Sequence, residues 1–349
     1  MLTSLGNAIY HRLDVRKASL FFTLGVFLAS LATPDGDYLY WILSILLLCI
    51  IILLFQRPQE NILFFCGLFI YYLSTISTEL SVPHIIYNIG QKFGGYIEGL
   101  PMRHSNLAKA FLQGDKSSLS RETISLFRSS GAAHLLALSG LHMGIIYFVF
   151  DRATKWSRKK RSWSIIRYIV LVVLASFYTL IVGAKPSICR AFLFIVLRET
   201  YLVKNFKPVL SDIFFMALFI QLAIIPSVIT SIGFQLSYLA VAGIVFIAFR
   251  MMKWYDGNKV LKFVWDSMCI ALCCQMMTAP LAYYYFGTFP KYFMLSNLIA
   301  IPLTIGFIWC SIGCILLSVL GICPTLLYNI TDGIGDLLLF SLKVIGSLG

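Results

Sequence analysis

Apolar runs of transmembrane length follow one another through this chain with only short polar connections, and that pattern restricts it to a bundle of helices in lipid. In hydrocarbon every backbone N–H and C=O must find its partner inside the spanning structure, so an apolar run of about 20 residues can only be a helix. The runs fall near 18–33, 38–55, 61–78, 134–150, 165–183, 189–203, 210–226, 234–250, 263–283, 292–320 and 324–345. They predict an all-α, polytopic integral membrane protein of about 10–11 transmembrane helices. Composition agrees: 59% of the residues are hydrophobic and 12% charged, and a soluble domain has too little interior for that much apolar surface. The first run stops at Pro34-Asp35-Gly36-Asp37 and another follows at once, which predicts a first transmembrane helix rather than a cleaved signal peptide.

The formal charge of +13 is read by position. Arg12, Arg16 and Lys17 precede the first run. Arg152, Lys155, Arg158, Lys159, Lys160, Arg161 and Arg167 follow the fourth, and Arg198, Lys204 and Lys207 follow the sixth. Arg250, Lys253, Lys259 and Lys262 follow the eighth. Positive residues mark cytoplasmic loops, so the N-terminus is expected inside. The longest non-spanning stretch, 79–133, then falls outside, yet it too carries a small positive surplus, which suits either a weakly constrained long loop or a face that meets a polyanion. The nine cysteines form no C-x2-C pair and read as small apolar helix residues, so no metal or cofactor site is expected.

Polar residues inside apolar runs are expensive and carry the functional signal. The stretch from His134 to Ile145, HLLALSGLHMGI, places Ser139 and His142 one turn apart with His134 two turns before His142. Gly140 and Gly144 make a G-x3-G pair suited to close helix packing. GAKPSICRAFLF puts Lys185 and Arg190 at a proline-marked helix start, where two cations suit a phosphate or anchor a short outer loop. SIGFQLSYLAVAGIV opens an apolar helix with Gln235 and Ser237. In the run from Gln275 to Leu303, Pro280, Gly287, Pro290 and Pro302 are expected to break helices, with Asn297 in the interruption.

These stretches, in this order, resemble the ComEC competence family of DNA-uptake proteins. The resemblance rests on LQGDKSSLS, HLLALSGLHMG, KPSICRA, GFQLSYLAVAGI, and APLAYYYFGTF through SNLIAIPL, over about residues 105–310. It implies a division into 1–104, transmembrane helices with a short external segment, and 105–349, a competence-type channel domain. It implies an inner-membrane channel subunit that imports single-stranded DNA during natural transformation. His134, Ser139, His142, Lys185, Arg190, Gln235, Ser237 and Asn297 are then the candidate lining of the DNA path. The implied partners are single-stranded DNA, the lipid bilayer, a DNA receptor, a motor ATPase and a second copy of the chain. Family members commonly also carry an extracellular OB-type domain and a metallo-β-lactamase-like domain. Residues 79–106 are too few for an OB barrel, and the five histidines hold no H-x-H-x-D-H cluster, so nuclease activity is not expected in this polypeptide, and the chain works alone, as a dimer or with separate OB and nuclease subunits.

Two other function classes have a sequence feature each. ALSG around Ser139 is similar to an intramembrane serine protease motif, but its only nearby histidine is on the same helix, so no oriented base is expected and no catalytic residue is assigned. Asp332 and Asp336, spaced i,i+4, suit either a solute transporter's cation site or an interfacial helix. GDKS at 114–117 lacks the G-K-[ST] order of a phosphate-binding loop, so ATP hydrolysis is not expected.

Overall fold

The computed structural model describes residues 15–31, 67, 84–136, 140–155, 161–287, 292–322 and 325–347. The expected span 38–55, the span 61–78 apart from Gly67, Ser139, Pro290 and the side chain of His142 lie outside the described residues. Helices are α1 (Val15–Leu31), α2 (His84–Glu98), α3 (Ser105–Gln113), α4 (Arg121–Ser129), α5 (Ala133–Leu136), α6 (Gly140–Thr154) and α7 (Arg161–Ile181). They continue with α8 (Pro186–Val203), α9 (Leu210–Ile224), the composite α10 (Ile232–Trp254), α11 (Lys259–Phe286), α12 (Phe293–Val319) and α13 (Thr325–Gly346). No strand occurs among the described residues, and the protein is an all-α membrane protein. Among the described residues, α7, α10, α11 and α12 are each long and apolar enough to cross a bilayer.

The chain forms two compact units. One comprises residues 1–81 and 193–238 and the other 82–192 and 239–349. In the first, α1 packs on α9 through Phe22 and Phe219, with ring centroids 4.6 Å apart. Ser19 Oγ donates to the Phe215 carbonyl at 2.8 Å, and Arg16 Nε donates to Asp212 at the exposed end. Gly67 packs against the α1 backbone near Phe22 and Val26.

Among the described residues the larger core lies in the second unit, and its makeup was not legible in the hydropathy. The stretch expected as an outer loop folds into α2–α5, whose apolar residues bury against α12 and α13. Phe111 is fully buried at the centre, edge-on to Phe127 and Phe307 at 6.0 and 5.9 Å. Each short helix has its local reason. Ser120 caps α4 by accepting from the Thr123 N–H at 3.1 Å, and α3 stops at Gly114, whose φ of +71° favours glycine.

Two of the expected helix breaks do not occur. Pro280 lies inside the continuous α11 and Pro302 inside the continuous α12, because hydrocarbon supplies no better partner for the backbone a break would free. Asn297 is therefore an early residue of α12, not part of an interruption. The real interruptions are elsewhere: the turn at Gly183–Lys185, the 3₁₀ segment Pro226–Thr230, a π-helical stretch Gly243–Ala248, and Gly287.

Candidate functional site

The Gly-Ala-Lys-Pro-Ser segment is a helix stop fused to a helix start. The Ala184 N–H reaches back to the Thr179 carbonyl at 2.8 Å and Gly183 N–H to Leu180 at 3.0 Å, the pair of bonds that closes a helix on a left-handed glycine, here with φ +82°. Lys185 then accepts from the Ile188 and Cys189 N–H groups and opens α8, with Pro186 as its first residue, where proline's missing N–H costs nothing.

The fold sets this turn against the LQGDKSSLS segment. Lys185 Nζ donates to the Gly114 carbonyl at 2.9 Å, and Tyr178 Oη donates to the Leu112 carbonyl at 3.0 Å. Both satisfy carbonyls left open at the C-terminus of α3, where the helix dipole also favours a cation. Two stretches that stood 66 to 71 residues apart as separate signals thus form one junction.

Beneath the junction lies an ion network that sequence reasoning missed. Lys109 is buried and bridges Glu98 and Asp115, each at 2.9 Å. Ser118 Oγ donates to Glu98. The Ser117 backbone N–H and hydroxyl, then the Lys109 ammonium, hold the Asp115 carboxyl down to about 2. The Glu98 carboxyl is likewise lowered, by its bonds from Lys109 and Ser118. The signal was present in Lys109 among the apolar residues of α3 and Asp115 just past its end, but nothing local says which way the lysine points.

The cations above this network are not neutralised in the same way. Burial weakens the hold of Lys116 and Lys185 on their protons; Lys116 also feels the charges of Lys185 and Arg128, and Asp115 opposes the effect at Lys185. An open groove on α4 is lined by Arg121, Ile124, Ser125, Arg128 and Ser129. Lys116, Arg121, Arg128 and Lys185 thus make one basic face, able to bind phosphate groups without reading bases.

The other expected lining residues are distributed as follows. Arg190 is buried on α8, one and a half turns beyond Lys185, so the two do not form a single cationic clamp. A Cβ at Gly140 would lie 3.1 Å from Arg190 Nη2 and 3.3 Å from the Ala191 Cβ, so that glycine permits close approach of α6 and α8. Among the described residues nothing lies within 4 Å of a Cβ placed on Gly144. His134 is exposed on α5, and the backbone of His142 is the third residue of α6. Gln235 and Ser237 belong to the other compact unit, where Gln235 Nε2 donates to the Ile229 carbonyl at 2.9 Å. Asn297 Oδ1 and Thr304 Oγ1, on one face of α12, are buried with no hydrogen-bond partner among the described residues. Among those residues no cluster of three metal-ligating side chains occurs.

The two carboxylates of α13 are engaged. Buried Asp332 accepts from the backbone N–H groups of Arg103 and His104, each at 3.1 Å, and so caps the start of α3 from another helix. Asp336 pairs with Arg103 Nη2 at 2.7 Å and lies 2.8 Å from His104 Nε2. Gly335 makes room: a Cβ there would come within 2.6 Å of the His104 ring.

The comparisons with known proteins agree with the motif order. The chain is 23% identical over 209 residues to ComE operon protein 3 of Bacillus subtilis (strain 168), covering 58% of this chain and 25% of that protein. It spans about a quarter of the length of the curated relative it matches. No solved structure matches. The sequence model of the family described as Competence protein matches residues 111–348, which contain the α3 end, the Lys185 turn and the whole α12–α13 hairpin. With more than half of its length matched in that way, the chain belongs to the ComEC-type competence protein family.

Proposed function

We propose that this protein is a channel subunit of the DNA-uptake machinery, passing single-stranded DNA across the cytoplasmic membrane without catalysing a reaction. The observation that carries this reading is the basic face of Lys116, Arg121, Arg128 and Lys185, built where two family motifs meet at one end of an apolar helical unit. Phosphates cannot enter hydrocarbon, and a cationic mouth beside a bundle of spanning helices is what a strand needs at the point of entry. In this reading the N-terminus is cytoplasmic, the basic face is external, and a DNA receptor, a motor ATPase and separate OB and nuclease subunits act with the chain. The pairing of Asp332 and Asp336 with Arg103 and His104 weighs against a free cation site of a solute transporter.

The test is import of labelled DNA into a deletion strain complemented with variants. Lys116→Gln with Lys185→Gln should reduce entry at unchanged protein abundance and flatten its salt dependence, by about one phosphate contact for each lysine. Entry and salt dependence equal to wild type would remove the basic face from the path, and full entry in the deletion strain without any copy of the gene would overturn the channel reading.

A further inference from the structure

The outward surface of α13 is divided lengthwise. Leu326, Ile330, Leu337 and Val344 form one exposed strip, 45 to 74% accessible. Asn329, Asp336 and Lys343 form another, all exposed and each seven residues from the next. Seven residues is two helical turns, so the three polar side chains share one face over about 21 Å, with Phe340 the one large apolar residue among them.

The depth of this strip follows from the pairing of α12 and α13. Gly313 packs against Leu327, Cys314 bonds Thr331 at 3.5 Å, and Gly306 and Phe307 meet Ile334 and Gly335. The paired numbers fall on one helix as they rise on the other, so the helices run antiparallel. α12 is long and apolar enough to cross the bilayer, and Asp336 sits level with its middle. Arg103 is brought to the same level by its bonds to Asp332 and Asp336. Its side chain is 68% exposed and that of Asp336 50%. Charged groups at mid-depth with that accessibility require water beside them, because lipid there is costly for either ion.

Resting on the channel reading above, we propose that the Asn329–Asp336–Lys343 strip lines the wet route of the strand, and that Arg103 is a phosphodiester-binding station on it. A guanidinium has five N–H donors in a planar fork. Here one reaches Asp336, and the open side of the group remains accessible to a second acceptor. Asp336, with Asp332 behind it, neutralises Arg103 when no phosphate is present, and a passing phosphodiester exchanges with the exposed Asp336 carboxylate. Buried Asp332 is the positioning residue: it accepts from the backbone N–H of Arg103 and lies 3.7 Å from its Nε, so it fixes the base of the side chain. The neighbouring Leu326–Val344 strip faces hydrocarbon.

The experiment uses the full chain in membranes after replacement of the native cysteines, with single cysteines at Asn329 and Lys343 and an impermeant thiol reagent wider than a single strand, applied on one side at a time. The expected result is labelling of Asn329→Cys and Lys343→Cys from opposite sides. Labelling of both from one side would show that α13 lies flat at the interface, and labelling of neither would show that the strip is covered by lipid or a second copy; either overturns the proposal. A short single-stranded oligonucleotide should slow labelling at Asn329→Cys by about tenfold, the scale of one charge-assisted hydrogen bond. That protection should vanish with Arg103→Gln and return in part with Arg103→Lys. Protection that survives Arg103→Gln removes the phosphodiester station. Failure of the channel reading is seen separately, as DNA import that does not depend on the gene.

Discussion

Helices α7 and α3 bury opposite kinds of residue. α7 turns Ile165, Ile166, Ile169, Val170, Val173, Leu174, Phe177 and Leu180 outward, and buries Arg167, Leu171, Ala175 and Thr179, spaced four apart. α3 is far less apolar overall, yet Leu107 through Leu112 are all buried, Lys109 included. The first helix has lipid as its solvent on most of its surface, so its apolar residues gain nothing by facing protein, and small or bonded polar residues make the contact. The second has protein on nearly every side and is held as a soluble core is, by apolar packing and a satisfied ion network. A single chain thus obeys two packing rules, and hydropathy reports only one of them.

Truncating an aromatic ring in each helix should expose that difference most strongly. Phe111→Ala opens a cavity between Phe127 and Phe307 and should cost about 3–5 kcal/mol, read as a lower unfolding temperature in detergent. Phe177→Ala, on a 54% exposed site, should stay within about 0.5 kcal/mol. Equal losses would show that α7 is covered by protein.

A charge placed on the outward face of α7 makes the converse comparison. Val173→Arg should cost about 2.5–3.5 kcal/mol of insertion free energy if that face meets hydrocarbon, measured as the inserted fraction in a translocation assay. Insertion equal to wild type would mean that water reaches this surface.

Acid should act on the α3 side and with the smallest effect. The folded Asp115 carboxyl, at about 2, lies below its ordinary value, and that of Glu98 is lowered in the same direction. The unfolded chain therefore binds these protons first as pH falls, so the network's stabilisation is complete above the ordinary carboxylate range and is lost as pH falls toward 2. Asp115 is 31% exposed, which screens its interactions and keeps the loss modest. Asp115→Asn should remove part of the acid sensitivity of unit unfolding. Unchanged sensitivity would place the acid-labile contact elsewhere.

Hydropathy located α7, α9, α10, α11, α12 and α13 within a few residues, because a spanning helix must carry its own apolar surface and that property is local to the sequence. The motif order identified the family for the same reason: LQGDKSSLS and KPSICRA are readable wherever the chain puts them. What those residues touch was not readable. Arg103 and Asp336 are 233 positions apart, Lys185 and Gly114 are 71 apart, and Ser296 donates to the carbonyl of Ser130 across 166. Such pairs exist only once helices have been arranged, since an ion or a carbonyl accepts any partner of suitable charge and distance that the topology delivers. The prolines show the same limit from the other side: Pro280 and Pro302 carry a local tendency to break helices, and the helices run through them because the surroundings give the freed backbone no better place to go. The positions of the helices and the family of the chain are written in local runs of residues; which polar groups are paired, buried or left facing water depends on how the helices pack, because those outcomes are properties of neighbours and not of residues.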